Sequence, residues 1–559
     1  MPPSPDSVAQ TLRSAPVPVH ATPVVRADAP RGTALLGQAL LLGVSGDALL
    51  RAGPLGPALV AWIAVLALAI TSLTWQAGRR VPGEAAAWIA TSVLFAALTV
   101  WRDADVLRPL DVLATIGALG LAAIAFRDER LGLWAPRLRD TLWAAVAIIA
   151  STARGIVPLA LRELFASERG SARTRSLRLV VRAALIVTIL LLVFGSLLRS
   201  ADPIFASLVS LPDVDYGEVA SHVVLAGFFA WITGGWAYGA LVSNPNSVRA
   251  PDRLPFALGM LDVTTALGTL TLLFAAFVAA QLGWLFGGER FLHETTGLTA
   301  AVYARQGFFQ MVAVVMLVIP VLLGTRVLLR PGAALSRRHT KLSIPVIILL
   351  GAIIVSAALR MQLYVRYYGL TTERLSTLVF MGWLAFVLVL FAVTVLRDRG
   401  RSFVAGSIVS GLLTLVGLHL LVPDVVVARV NIARTATASS DSALDIRHLS
   451  WLSGEAAEYA IMATLARPSA TEGSEARFDA DEARCEAALT LLNRWGPASR
   501  TADERARDGA WRSWNAGEAH ALRAVGDQAS ALRRVQHQTC GPTSRARRAN
   551  RAAQAAAPL

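Results

Sequence analysis

Runs of roughly 20 apolar residues recur through most of this chain, separated by short connections that carry arginine. No other feature narrows the fold as much. A backbone amide left unpaired in hydrocarbon is costly, so a segment immersed in a bilayer satisfies its amides internally as a helix, and about 20 residues carry such a helix across. Twelve candidates can be placed, near 33–50, 56–76, 85–101, 107–126, 141–161, 177–198, 219–242, 256–286, 302–329, 343–365, 373–396 and 403–422. Arg154, Gly155 and Pro158 interrupt the fifth, and the first is short and holds Asp47. The composition agrees: of 559 residues 55% are hydrophobic and 16% charged, and the mean hydropathy is +0.53. The sequence predicts an all-α, polytopic transmembrane bundle of 11 to 12 spans followed by a small soluble helical domain.

The formal net charge of +15 raises the question of nucleic acid. A nucleic-acid module concentrates its charge on one soluble face, whereas much of the charge here lies in short loops between apolar runs. It reads as topogenic charge, and no nucleic-acid partner is expected. Cytoplasmic loops retain Lys and Arg, so three arginine-rich connections are assigned inside: Arg162 to Arg178, Arg326 to Lys341, and Arg397 to Arg401. The alternate loops are acidic or poor in arginine, with Asp202, Asp213, Asp215 and Glu218 in one and Glu289 and Glu294 in another. If every candidate spanned, Arg127, Arg130, Arg137 and Arg139 would lie outside. Eleven spans, with 141–161 interfacial or re-entrant, remove that conflict and put the N-terminus in the cytoplasm.

Four regions follow. Residues 1–32 are Pro-rich without an apolar signal core and read as a disordered tail. Residues 33–423 form the bundle. Residues 424–540 show apolar positions at helical spacing among charges and read as an extracytoplasmic, mainly helical domain. Residues 541–559 are a basic tail. Both cysteines, Cys485 and Cys540, fall in the soluble domain. An even pair in an oxidising compartment suggests a disulfide, and without CxxC spacing its role is to staple the domain.

An ionised side chain deep in a bilayer is expensive unless paired or hydrated. On that ground Asp262, Arg305 and Arg360 are the candidate intramembrane polar site, extended by Gln281 and the threonines around 264–271. Each charged member also lies within about two turns of an expected helix end, where a long side chain reaches the headgroups. Gly235 and Gly239, like Gly283 and Gly287, have the four-residue spacing that lets helices approach closely. There is no GxGxxG, GxSxG, HExxH or P-loop, and the eight histidines are dispersed, so no cofactor and no metal is expected. A site assembled from distant residues would escape such a search.

Five strings, FGSLLRSADPIFASL at 194–208, FVAAQLGWLFGG at 277–288, YARQGFFQMVAV at 303–314, YYGLTTERLSTLVFMGWLAF at 367–386 and VARVNIAR at 427–434, together resemble an uncharacterised bacterial membrane family, the domains of unknown function 4153 and 4173. The resemblance implies a multi-pass protein of the cytoplasmic membrane and transfers no catalytic residue. The family often has an acidic residue where this chain has Gln306. In the fourth string Gly369 tolerates the left-handed dihedrals that end a helix, Thr371 or Thr372 can cap the next one, and Glu373 suits its first turn. Arg366 and Arg374 then hold a tight helical hairpin at the headgroups. Three functional expectations remain open: transport or sensing of an envelope-associated solute, a structural or signalling subunit that binds envelope partners through the outer domain, and an intramembrane enzyme on lipid-linked material.

Overall fold

The computed structural model describes residues 30–51, 56–127, 138–160 except 158, 216–243, 258–296, 308–329, 333–397, 400–437, 444–466, 475–499 and 510–541, with isolated positions between 180 and 194. Among them are seventeen α-helices and no strand. The bundle contains α1 (Gly32–Leu50), α2 (Pro57–Gln76), α3 (Gly83–Trp101), α4 (Leu107–Arg127), α5 (Leu138–Arg154), α6 (Tyr216–Ala237, extended by a π-turn to Val242), α7 (Met260–Thr296), α8 (Phe308–Leu328), α9 (Ala333–Tyr368), α10 (Thr372–Thr394) and α11 (Gly400–Leu421). Ten of these are long and apolar enough to cross a membrane, and the protein is a multi-pass membrane protein. The exception is α5, whose apolar part covers only Trp143–Arg154. The candidate at 177–198 lies outside the described residues, apart from isolated positions.

The bundle has two packed halves. Ile63, Ile70, Leu73, Phe126 and Leu241 belong to the core of α1–α6, while Leu267, Leu322, Leu350 and Phe391 belong to that of α7–α11. A smaller cluster of Phe95, Leu98, Leu107, Leu415 and Leu418 joins them through α3, α4 and α11. Many leucines and valines on outer faces, such as Leu68 and Leu272, are exposed. In a bilayer those faces meet lipid.

The two ends of the bundle differ. One carries the C-terminal domain, which consists of α12 (Pro423–Thr437), α13 (Ile446–Trp451), α14 (Ala457–Leu465), α15 (Glu475–Trp495), α16 (Ala516–Asp527) and α17 (Ala529–Thr539) around Ala460, Leu491, Trp495, Val525 and Leu532. At the far end Arg79 donates to the Phe126 carbonyl at 3.0 Å, and the Leu258 amide donates to the Leu328 carbonyl at 2.8 Å. These bonds gather the α2–α3 turn with the end of α4, and the start of α7 with the end of α8.

The shortness of α5 has a local cause. Gly155 sits at φ +65°, where only glycine is at ease, and a Cβ there would overlap the indole of Trp231 on α6. A Cβ on Gly235 would come within 2.9 Å of the Ser151 carbonyl, and one on Gly239 would strike the Ser151 hydroxyl. The small-residue stripe of α6 therefore packs on α5. Gly155 lies level with Gly235, seven residues or about 10 Å from the far end of α6, so α5 enters from that end and stops part-way through.

Candidate functional site

The break between α9 and α10 is built by two of the strings quoted above. Gly369 has φ +79°, which lets the chain leave α9, and the Thr371 hydroxyl accepts from the Arg374 amide to start α10. The Arg374 guanidinium lies 4.1 Å from the Tyr364 ring centroid and donates to the carbonyls of Tyr368 and Gly369. From α12, Asn431 grips Leu370 on both sides: its Oδ1 accepts from the Leu370 amide at 2.9 Å and its Nδ2 donates to the Leu370 carbonyl at 2.8 Å. Arg434 donates to the carbonyls of Val365 and Arg366 at 3.1 and 3.0 Å. Glu373 lies in the first turn of α10. The hairpin is thus a docking socket for α12, and backbone groups that no helix can pair are satisfied by side chains.

A second set of contacts fixes the domain to the turn between α3 and α4. Asn515 donates through Nδ2 to the carbonyls of Thr99 and Arg102 at 2.9 and 2.7 Å, closing the end of α3. Its Oδ1 accepts from the amides of Gly517 and Glu518, opening α16. Asp103 accepts from the Gly454 amide at 3.2 Å and from Arg108 at 2.5 Å, and the Asp103 amide donates to Glu455 at 2.8 Å. Asp424 accepts from the Thr372 hydroxyl and, at 3.0 Å, from the Ser453 amide. Burial drives the Asp103 carboxyl up to about 6. Arg108 opposes the rise, and Glu455 and Glu518 add to it. Burial also lowers Arg102 and Arg494 from the usual guanidinium range, with neighbouring carboxylates opposing.

Just beneath this junction, one turn into α4, Asp111 Oδ1 stands 2.9 Å from His419 Nε2 of α11. Both side chains are almost fully buried, at 1% and 0% exposure. An ionised carboxylate only accepts, so with Asp111 charged the hydrogen would lie on Nε2, and with Asp111 protonated Nε2 could accept instead. Arg102 donates to the His419 carbonyl at 3.1 Å, and the Trp101 indole stacks on the imidazole. Asp111 Oδ2, His419 Nδ1 and Thr115 Oγ1 are buried without a hydrogen-bond partner. A second pair of the same kind sits at the same end of the bundle, where Asp47 on α1 meets His222 Nδ1 of α6 at 2.5 Å and Arg51 at 2.6 Å.

The family model described as "Domain of unknown function (DUF4153)" matches residues 89–463, which reach from α3 to α14 and include the Asp103, Asp424 and Asn431 contacts but not Asn515. The chain belongs to this family. No curated protein matches it, and no solved structure does.

In this DUF4153 member Asp262 and Arg360, two of the three residues of the candidate intramembrane site, stand far apart. Asp262 is exposed in the first turn of α7, where its carboxylate accepts from the Gly259 amide at 2.8 Å. Gln281 of α7 accepts from Ser356 of α9 and reaches Met311 of α8 at 3.7 Å. Arg360, buried at 6% exposure, follows Ser356 by one turn. Because α7 and α9 both start at the far end, Asp262 lies 19 residues, or about 28 Å, below the Gln281–Ser356 level. It cannot neutralise Arg360. Arg305 lies outside the described residues. Cys485 and Cys540 are joined by a disulfide that ties α15 to the end of α17. Sequence reasoning overlooked Asp111 and His419, although both stand inside apolar runs and the rule that singled out Asp262 applies equally to them. Asn515 and Asp103 carried no signal, since polar residues are unremarkable outside a span. No group of three or more His, Cys, Asp or Glu side chains that could hold a metal occurs among the described residues.

Proposed function

We propose that the protein is a structural or signalling subunit of a bacterial cytoplasmic membrane, which holds its C-terminal domain at a fixed geometry on the extracytoplasmic face and binds envelope partners through it. The observation that carries this reading is Asn515, a single side chain that closes a bundle helix and opens a domain helix at once. A swinging lid would have to break that bond, the Asp103 and Asp424 bonds and the Asn431 clamp together. Sidedness rests on charge: Arg79, Arg80, Arg127, Arg326, Arg337, Arg338 and Arg397 outnumber Glu84 and Asp262 at the far end, while at the domain end Asp103, Asp105, Glu218, Glu373 and Asp424 balance Arg51, Arg102, Arg108, Arg366 and Arg374. Cytoplasmic ends retain arginine, and an oxidising compartment suits the disulfide.

The test has two arms. Spin labels on α16 and on the exposed end of α3 should give one narrow distance distribution in nanodiscs, and a photo-reactive residue at the exposed Trp451 should capture discrete envelope proteins in cells. A broad or ligand-dependent distribution would make the domain a lid and favour transport. A reporter fused after residue 541 that is active only in the cytosol would reverse the sidedness.

A second reading, proton-linked movement or sensing of a solute, is favoured by one observation, the Asp111–His419 pair with its unsatisfied outer atoms. An ionisable pair at membrane depth is a natural proton-handling element. It is tested by proton release from detergent-solubilised protein between pH 5 and 8, where Asp111→Asn should abolish a release step if the pair titrates.

A further inference from the structure

Residues 510–514 of the C-terminal domain read AWRSW. Ala510–Ser513 form a single 3-10 turn, closed by the Trp514 amide, which donates to the Trp511 carbonyl at 3.3 Å. Side chains three apart in such a turn eclipse, so both indoles leave it on one side. Trp511 and Trp514 are 51% and 42% exposed, and neither indole takes part in the docking contacts described above.

Two spanning helices fix the depth of this turn. The 20 residues of α2 rise about 30 Å, the thickness of a hydrocarbon core, so Gly56, which precedes α2 at the domain end, stands at the boundary. A Cβ on Gly56 would lie 3.0 Å from the Arg512 carbonyl and 3.1 Å from the Trp514 carbonyl, so the turn is seated on the start of α2. The 19 residues of α3 rise about 28 Å, and the carbonyls of Thr99 and Arg102 at its end accept from Asn515, the residue after Trp514, at 2.9 and 2.7 Å. Trp101, the last residue of α3, is exposed at the same level.

That depth decides the partner. The headgroup layer adds about 5–8 Å beyond the hydrocarbon on each side, and an exposed indole on a turn in contact with two helix ends meets it. Tryptophan favours this layer, where the ring leaves water and the indole N–H stays hydrogen-bonded. Trp101, Trp511 and Trp514 thus form part of an aromatic belt to which the soluble domain contributes two members.

We propose that the Trp511–Trp514 turn is a lipid contact of the C-terminal domain. Both indoles insert among the phospholipid headgroups of the leaflet on the domain side and anchor the domain to the bilayer alongside the Asn515 bonds. The inference rests on the docked geometry and holds whichever face of the membrane carries the domain.

The experiment uses the full chain in nanodiscs of phosphatidylethanolamine and phosphatidylglycerol, with one spin label replacing Trp511, Trp514, the lipid-facing Leu68 or the exposed Trp451 in turn. Both native cysteines are bridged, so the introduced cysteine takes the label. Collision with a water-soluble nickel chelate should be roughly threefold less frequent at 511 and 514 than at 451, with oxygen collision between the values at 451 and 68. Trp511→Ser combined with Trp514→Ser should accelerate hydrogen exchange in the first turn of α16 roughly fivefold in nanodiscs. The acceleration should be absent in amphipol, which offers no headgroup layer, and tyrosine at both positions should restore slow exchange. Nickel access at 511 and 514 equal to that at 451, or equal acceleration in nanodiscs and amphipol, would overturn the proposal. So would capture of a discrete polypeptide by a benzophenone replacing Trp511 in cells. The α3–α16 distance reports undocking separately from depth, so loss of the docked geometry and loss of the lipid contact are told apart.

Discussion

The Asn431 carboxamide spans the amide and the carbonyl of Leu370, 61 residues away in sequence, at 2.9 and 2.8 Å. Leu370 stands where α9 has ended and α10 has not begun, so neither backbone group has a helical partner. Each would be left unsatisfied close to hydrocarbon, and an unsatisfied buried group costs about 1–3 kcal/mol.

Asn431→Leu, which keeps the volume and removes both partners, should therefore destabilise the protein by roughly 2–4 kcal/mol. Asn431→Asp, which keeps the acceptor alone, should cost about half as much. Thermal unfolding in detergent measures both, and equal losses for the two variants would deny that each half of the clamp contributes.

Replacing Asn515 by alanine removes a helix N-cap and two helix-end donors in one step. A loss of roughly 2–3 kcal/mol is expected, concentrated at the junction. Hydrogen exchange should accelerate in Thr99 to Arg102 and in the first turn of α16, leaving α7–α9 unchanged.

Asp103 makes docking sensitive to pH. Its carboxyl lies near 6 in the docked protein against an ordinary 3.8, so the docked state binds the proton more tightly than an undocked, solvated one. The stabilisation is complete below pH 3.8, declines as pH rises to about 6 and is absent above; two pKa units correspond to about 3 kcal/mol. Asp103→Asn should flatten the melting temperature between pH 4 and 6 relative to the unmodified protein. Parallel curves for the two would show that this carboxyl does not govern docking.

Double-mutant cycles should separate true pairs from apparent ones. Asp111→Asn and His419→Gln share a buried hydrogen bond and should couple by about 1–3 kcal/mol, whereas Asp262→Asn and Arg360→Met, about 34 Å apart along the bundle, should add within about 0.5 kcal/mol. Coupling in the second cycle would contradict the shared direction of α7 and α9.

The Cys485–Cys540 bridge closes a loop with a sequence separation of 55, and Cys485→Ala with Cys540→Ala should cost about 2–4 kcal/mol. The loss should appear in the soluble domain alone, as proteolysis after α15 while the spanning helices stay intact.

Hydropathy by itself determined where the chain crosses the membrane, because each span must satisfy its own backbone and so writes its length and character into consecutive residues. The hairpin at Gly369, Thr371 and Arg374 was legible for the same reason, since capping acts within a few residues. Partners were not legible. Asp111 meets His419 across 308 positions, and Asn515 closes a helix that ends at Trp101; which polar residue faces which is decided only when helices pack, and packing follows shape summed over many side chains. The same holds for Asp262 and Arg360. Both are charged residues near helix ends, and only the common direction of α7 and α9 separates them. The depth of α5 likewise depended on Trp231 meeting Gly155, a contact between elements that no local pattern encodes.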